Sequence, residues 1–194
     1  MKYAIFSVLL GTAVLGMPLV ASAQVAQPMT ANDKSSMDVG VAPIHGLDGP
    51  AFLAAASDAN QYQMAASRLS LERSQRSDVK DYARDIMPKS QTSEQMLMAS
   101  LNNLQRKFAE PGVRLSAERA SMLKILRDAP SGSFDNLYLT QSVKVQQGNW
   151  ATYKGYAEDG SDPSLKQVAS NGAPLIAQQI QQAQALLPSA LSGN

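Results

Sequence analysis

Residues 139–157, with the sequence LTQSVKVQQGNWATYKGYA, decide the fold class of this 194-residue chain. Apolar side chains, with one glutamine among them, recur there at alternating steps of four and three residues: Leu139, Val143, Gln146, Trp150, Tyr153 and Ala157. Since an α-helix has about 3.6 residues per turn, this spacing places them all on one side of a helix, and we expect Tyr156 to lie off that side and to be exposed. The stretch predicts a long amphipathic helix that packs into a helical bundle.

Three more long helices are predicted from the same kind of spacing. They cover residues 50–73, 77–108 and 163–187, and a short helix covers residues 117–127. Serine or aspartate, whose side chains accept hydrogen bonds from a first helical turn, begins three of them as a cap: Ser77, Ser116 and Asp162. No segment shows a convincing strand pattern. We therefore predict an all-α protein, an antiparallel four-helix bundle with one short extra helix.

Two prolines inside these helices are expected to disturb them. Pro88 lies within the second predicted helix, where its ring clashes with the preceding turn and removes a backbone hydrogen bond. We expect a kink at that point. Pro174 follows Asn171-Gly172-Ala173, and we expect this stretch to bend or interrupt the last helix.

The first 23 residues have the pattern of a secretory signal peptide. Lys2 precedes an apolar run over residues 4–20, and Ala21-Ser22-Ala23 supplies the small residues of a cleavage site before Gln24. The run is short and contains glycine and proline, which makes it a poor permanent membrane anchor. We therefore expect export, cleavage between Ala23 and Gln24, and a final location in the periplasm or the medium, not within a membrane.

The rest of the chain divides into three parts by composition. Residues 24–49 combine proline and glycine with scattered polar residues and show no sustained periodicity, which predicts a flexible leader. The alternative for this leader is an arm that orders on a partner. Residues 50–188 form the predicted helical-bundle domain, and residues 189–194 form a tail.

Charge and residue content argue against several functions. The chain has 17 Lys plus Arg against 16 Asp plus Glu, so it lacks the basic excess that a nucleic-acid partner would favour. It has no cysteine, hence neither a disulfide nor a Cys-x-x-Cys-His haem site. Its one histidine, His45, lies in the predicted leader. Because a Ser-His-Asp hydrolase needs a histidine beside its serine, we predict no catalytic residues and no enzyme.

Each predicted long helix carries one polar residue on its apolar stripe. These residues are Gln63, Ser90, Gln146 and Gln179. Buried amides and hydroxyls are usually hydrogen-bonded, so a structural role is one interpretation. The other is a binding site at the bundle centre, walled by Trp150. A cavity with unsatisfied amides would favour the binding site, whereas tight packing with mutual hydrogen bonds would favour the structural role.

Six short blocks of sequence carry a resemblance to a known family. They are FLAAA at 52–56, Asn60, VKDYA at 79–83, FDNLYL at 134–139, DPSLK at 162–166 and Pro174-Leu175. In order and spacing they resemble the exported, ferritin-like bacterial family called domain of unknown function 4142, over about residues 49–187. The resemblance implies a ferritin-like helical bundle.

The resemblance also implies where a metal site would lie. The family's usual pattern has a Glu in the first helix, an Asp-His pair in the second, a His in the fourth segment and a His in the last. Here those positions hold Gln63, Lys89-Ser90, Gln146 and Gln179. Amides and hydroxyls are weak ligands for transition metals, so we expect no metal and no other cofactor.

Together these observations favour a non-enzymatic exported protein that binds an envelope or secreted protein partner. The alternative is a small-molecule binder that uses a pocket among the four polar residues, and a degenerate ferritin-like metal site is a third interpretation. A bundle fold does not decide among them, because one fold serves many functions.

Overall fold

A computed structural model describes residues 39–101 and 108–188 of the protein. Within them lie five helices: α1 Gly49–Arg73, α2 Ser77–Ser100, α3 Ala117–Asp128, α4 Ser131–Asp159 and α5 Pro163–Leu186. These two stretches of chain contain no strand, and the all-α prediction is confirmed. None of the described helices combines the length and the apolar character that a membrane crossing requires.

The four long helices form an antiparallel bundle. Short turns join α1 to α2 and α4 to α5, while α1 also packs on α4 and α2 on α5. Hydrogen bonds from Tyr62 to Gln141 and between Ser67 and Tyr138 show that α1 and α4 run in opposite directions. The long crossover from α2 to α4 carries α3, which packs on α1 and α4. A single long crossover is the ferritin-like way to connect four helices, and the predicted bundle with one short extra helix is confirmed.

Local sequence explains where three helices begin. The side chains of Ser116 and Asp162 accept hydrogen bonds from the first turns of α3 and α5, at 3.3 and 3.0 Å, as predicted. Asp48 does the same for α1, at 2.8 Å. Ser77 was expected to cap α2 but is its first helical residue, preceded by Arg76, whose side chain makes no capping hydrogen bond. Side-chain caps therefore begin α1, α3 and α5, whereas α2 and α4 begin without one.

The second helix ends earlier than the apolar spacing predicts. Its last residue is Ser100, residues 102–107 lie outside the described residues, and Phe108 is not helical. The Phe108 ring lies so close to Gly49 that a Cβ on this glycine would be 2.6 Å from it. The Phe108 ring therefore packs against the start of α1 from a non-helical segment. It does not extend the apolar stripe of α2 in the way that the spacing predicts.

The two internal prolines do not interrupt their helices. α2 continues through Pro88 and α5 through Pro174, so the interruption considered for residues 171–174 is not observed. Each proline removes one backbone hydrogen bond. Both prolines are exposed, so water can reach these faces and compensate for the lost bond.

Two clusters of buried apolar side chains form the core. The first, here the Tyr138 cluster, includes Tyr62, Val79, Tyr82, Ile86, Leu126, Phe134, Tyr138 and Leu139. The second, the Trp150 cluster, includes Val39, Phe52, Leu97, Trp150, Tyr153, Tyr156, Ile176 and Ile180. Tyr156, expected to be exposed, is fully buried, with its ring stacked on Phe52 at 4.3 Å between centroids. The expectation was wrong because α1 covers a wider face of α4 than the apolar stripe indicates.

Part of the predicted leader packs on the bundle. Gln147 of α4 donates a hydrogen bond to the backbone oxygen of Val39 at 2.8 Å, and the Ile44 N–H donates to the Ala151 carbonyl at 2.9 Å. Gly155 permits this approach, because a Cβ there would lie 1.8 Å from the Ile44 carbonyl oxygen. The predicted signal peptide, the rest of the leader and the predicted tail fall outside the described residues, and those predictions stay predictions.

Candidate ligand-binding groove

A groove lies between α2 and α5, and residues of α1 and α4 form its floor. Its volume is about 920 Å³, which is within the range of small-molecule sites. Its apolar lining consists mainly of Pro88 and Met96 on α2 and Val168, Leu175 and Ile176 on α5. The floor is more polar, with Asn60 from α1 and Asn149 and Tyr153 from α4. We call this site the α2–α5 groove.

Short side chains leave the space that the groove occupies. Ser90 and Ser93 on α2, and Ser164 and Gly172 on α5, all line it, and they do not fill the gap between the two helices. Gly172 also lets the Tyr153 ring approach α5, because a Cβ on Gly172 would lie 2.4 Å from that ring. The sequence therefore creates the groove by placing small residues on both helices.

Three amide side chains form a hydrogen-bonded chain at the floor of the groove. Asn149 Nδ2 donates to Gln146 Oε1 at 3.5 Å, and Gln146 Nε2 donates to Gln179 Oε1. Both ends of this chain, Asn149 and Gln179, line the groove. At one end, Asn149 Oδ1 is buried and has no hydrogen-bond partner among the described residues. At the other end, Gln179 enters the chain as an acceptor, which leaves its own N–H groups for the groove.

Tyr153 contributes a neutral hydroxyl at the groove floor. Its OH lies 3.0 Å from Ser93 Oγ. Burial raises the pKa of Tyr153 to about 12, against the opposing effect of hydrogen bonds to Ser93 and Asn60. Tyr153 is therefore protonated across the physiological pH range, and it is a hydrogen-bonding group rather than a base.

The groove carries no net charge from the described residues that line it. Asp85 and Lys89 supply its charges, and Lys89 Nζ lies 2.6 Å from Asp85 Oδ2. Both side chains are partly exposed at the groove rim. Because the two charges neutralise each other, the groove does not select an ionic ligand.

The structure brings three of the four predicted polar residues together. Gln146 bonds to Gln179, and Ser90, which is 4% exposed, lines the groove with Gln179. Gln63 lies apart, since its Nε2 donates to the Ser142 carbonyl oxygen at 3.1 Å and its Oε1 accepts from the Ser142 hydroxyl at 2.8 Å. Gln63 therefore has the structural role that mutual hydrogen bonds indicate.

Trp150 does not form the wall that the sequence predicts. Its side chain is 1% exposed in the Trp150 cluster and is not part of the groove lining. Tyr153 takes that place, and Asn149, which was not predicted, supplies the open acceptor. The available signal was the spacing of Gln146 and Asn149, because residues three apart lie on the same side of a helix.

The predicted polar positions do not fit a metal ion. In ferritin-like bundles such an ion is held by inward carboxylates and imidazoles. Here the donors are the Ser90 hydroxyl and three amides, and those amides are hydrogen-bonded to one another or to Ser142. Within residues 39–101 and 108–188, no group of three or more His, Cys, Asp or Glu side chains is arranged to hold a metal.

Fold and groove define this protein as a ferritin-like helical bundle with an amide-floored cleft. The chain belongs to the family called domain of unknown function (DUF4142), whose model matches residues 39–186. The match begins at the leader residues that pack on α4, so the family domain includes them. No curated protein and no solved structure matches the chain. Membership confirms the resemblance seen in the sequence and assigns no activity.

Proposed function

We propose that this protein is a non-enzymatic binding protein of the envelope or medium, and that it holds a small molecule in the α2–α5 groove. The observation that carries the proposal is the groove of about 920 Å³ that Asn149 helps to line, together with the buried Oδ1 of Asn149, which has no hydrogen-bond partner among the described residues. A buried polar atom without a hydrogen bond destabilises the fold. A ligand that donates to this atom removes that cost and gains affinity from it.

The chemistry of the lining residues supports binding rather than catalysis. Tyr153 is neutral, and Lys89 is engaged with Asp85 at the rim. Ser90 has no histidine beside it, since the one histidine of the chain is His45 in the leader. A nucleophile needs an adjacent base to be activated, and the ionisable lining residues, Asp85 and Lys89, are paired with each other at the rim. The location outside the cytoplasm rests on the signal-peptide pattern of residues 1–23.

Fluorescence of the neutral dye Nile red, which brightens in an apolar environment, tests the groove as a binding site. Ala99 is exposed and lines the groove, so Ala99→Trp places a large ring in it without disturbing the core. We expect the purified protein to bind the dye and the Ala99→Trp variant to bind it at least about tenfold more weakly, because the ring excludes the dye.

The matched control is Ala54→Trp, on the exposed face of α1 and away from the groove. It adds the same ring to a similar exposed helical position and leaves the dye affinity unchanged. Equal dye binding by both variants, or no binding by the unsubstituted protein, would refute the proposed site.

A protein partner is the second candidate function. Met96 and Leu175 line the groove on opposite helices and are 56% and 58% exposed. Large exposed apolar residues on both sides of a cleft also suit an apolar segment of another protein. A photo-crosslinking residue at position 99 in intact cells distinguishes the two candidates. A discrete protein adduct at position 99, absent with the same residue at position 54, would favour the partner.

A further inference from the structure

We propose that the ligand of the α2–α5 groove is a neutral molecule with an apolar body and an amide group. The amide N–H of the ligand donates to Asn149 Oδ1, and its carbonyl oxygen accepts from Gln179 Nε2. This inference rests on the proposed function and specifies the chemistry of its ligand.

Asn149 identifies the donor that the ligand must carry. The side chain is 4% exposed, its Nδ2 is used by Gln146, and its Oδ1 is buried and unpartnered within the described chain. Ser70 Oγ, Asp135 Oδ1 and Arg119 Nε are also buried without a hydrogen-bond partner among the described residues, but none of these residues lines the groove. Asn149 Oδ1 is thus an unsatisfied buried acceptor on a residue that lines the groove, and in this proposal the Asn149 side chain turns toward the groove to accept the ligand N–H.

Gln179 identifies the acceptor that the ligand must carry. It is 8% exposed, it lines the groove, and its Oε1 already accepts from Gln146. What it offers a ligand is therefore a donor. The three amides are polarised in one direction, from Asn149 through Gln146 to Gln179, and hydrogen bonds in such a chain strengthen one another. A ligand amide, with one donor and one acceptor, matches the two open ends.

The charges of the groove exclude ionic ligands. A carboxylate would face the lone pairs of Asn149 Oδ1, and an ammonium group would lose its hydration without gaining an opposite charge. The charged lining residues, Asp85 and Lys89, already neutralise each other at the rim. The apolar walls formed by residues such as Val168 and Ile176 suit a hydrocarbon body.

Displacement of Nile red by two matched probes tests the inference. Decanamide and methyl decanoate have similar apolar chains and a carbonyl group, but only decanamide has an N–H. We expect decanamide to displace the dye at about tenfold lower concentration, because one additional hydrogen bond to a buried acceptor is worth about that factor in affinity.

Two substitutions test the two ends of the amide chain separately, and both keep the approximate side-chain volume. Asn149→Leu removes the acceptor of the decanamide N–H and reduces the preference for decanamide to about twofold or less. Gln179→Met removes the donor to the carbonyl that both probes share, so it weakens both probes by about tenfold and leaves their ratio unchanged. Gln182→Met is the control, since Gln182 is exposed on α5 and does not line the groove. Circular dichroism during heating verifies that all three variants fold.

The outcomes separate this inference from the proposed function. Dye binding with equal displacement by both probes would leave the groove as a binding site and overturn the amide ligand. A preference for decanamide that survives Asn149→Leu would also overturn it. Absence of dye binding by the folded protein would overturn the proposed function, and the ligand assignment with it.

Discussion

The Tyr138 cluster and the floor of the α2–α5 groove differ in whether the polar side chains buried there use their hydrogen-bonding atoms within the fold. In the Tyr138 cluster, the Tyr62 hydroxyl donates to Gln141 Oε1 at 2.6 Å, and Gln141 Nε2 donates to the Met122 carbonyl at 3.2 Å. The Tyr82 hydroxyl lies 3.0 Å from Ser142 Oγ, which in turn donates to Gln63. At the groove, the chain from Asn149 to Gln179 has both ends open.

This difference separates structural polar residues from candidate binding residues. A buried amide whose donors and acceptors are used within the fold stabilises one packing arrangement. An amide with an unsatisfied atom next to a groove lowers the stability of the fold. A ligand that forms a hydrogen bond to this atom raises the stability again. Gln63 and Asn149 are buried polar residues of neighbouring helices, yet the first belongs to the core and the second to the site.

Alkaline pH is expected to have the largest effect on both regions. Burial raises the pKa of Tyr153 to about 12 and also raises the pKa values of Tyr62, Tyr82 and Tyr138 above their usual range. Because an unfolded tyrosine titrates near pH 10, this stabilisation is complete below about pH 10 and is lost as pH rises through the folded-state values. Tyr153 alone accounts for about 2 kcal/mol of lost stability at about pH 12.

We therefore expect cooperative unfolding at or below about pH 12, followed by tyrosinate absorbance and far-ultraviolet circular dichroism. The four tyrosines ionise only as the helical signal disappears. The same titration of Tyr153→Phe identifies the contribution of the groove tyrosine. Ionisation of Tyr153 near its ordinary pKa in the folded protein would show that water reaches the groove floor as freely as it reaches the surface.

Paired leucine substitutions test the comparison directly. Gln63→Leu removes the acceptor of the Ser142 hydroxyl, and we expect it to lower the free energy of unfolding by about 1 to 3 kcal/mol. Asn149→Leu removes an unsatisfied acceptor, and we expect unchanged or slightly higher stability. Urea denaturation measures both. Equal destabilisation by the two substitutions would contradict the difference between Gln63, which is hydrogen-bonded within the fold, and Asn149, which has an unsatisfied acceptor.

A smaller effect is expected where the leader meets α4. Gly155→Ala places a Cβ against the Ile44 carbonyl, and we expect it to displace residues 39–48 and to lower stability by about 1 to 2 kcal/mol. Gly148→Ala on the same helix is the control, because a Cβ there has its nearest contact at 3.8 Å. Alanine also has a higher helix propensity than glycine, by about 1 kcal/mol, so this control does not lose stability. Limited proteolysis reports the leader: faster cleavage within residues 39–48 is expected for Gly155→Ala only.

Much of the fold follows from patterns that act within one helix. The spacing around Trp150 and the capping residues Ser116 and Asp162 predict helices that the structure confirms, because periodicity and capping depend on residues a few positions apart. The position of Phe108 could not be predicted in this way. Its ring packs against Gly49, which is distant in sequence, and such a contact overrides the local spacing.

The candidate site was predictable only in part. The polar positions Ser90, Gln146 and Gln179 stand out because they interrupt apolar stripes, and the structure brings them together. Gln63 stands out for the same reason, but it belongs to a closed network with Ser142. Asn149 does not interrupt an apolar stripe, and its position three residues after Gln146 was the one sequence signal that could have selected it.

The sequence by itself determined an all-α bundle, the approximate extent of its helices and a polar residue on each apolar stripe, because these properties depend on order along one helix. The tertiary structure decided which amides are satisfied and which are open. That outcome depends on distances between α4, α5 and α1, as in the pairing of Gln146 with Gln179 and of Gln63 with Ser142. It also decided that small residues of α2 and α5 face a common gap, which no single helix can show.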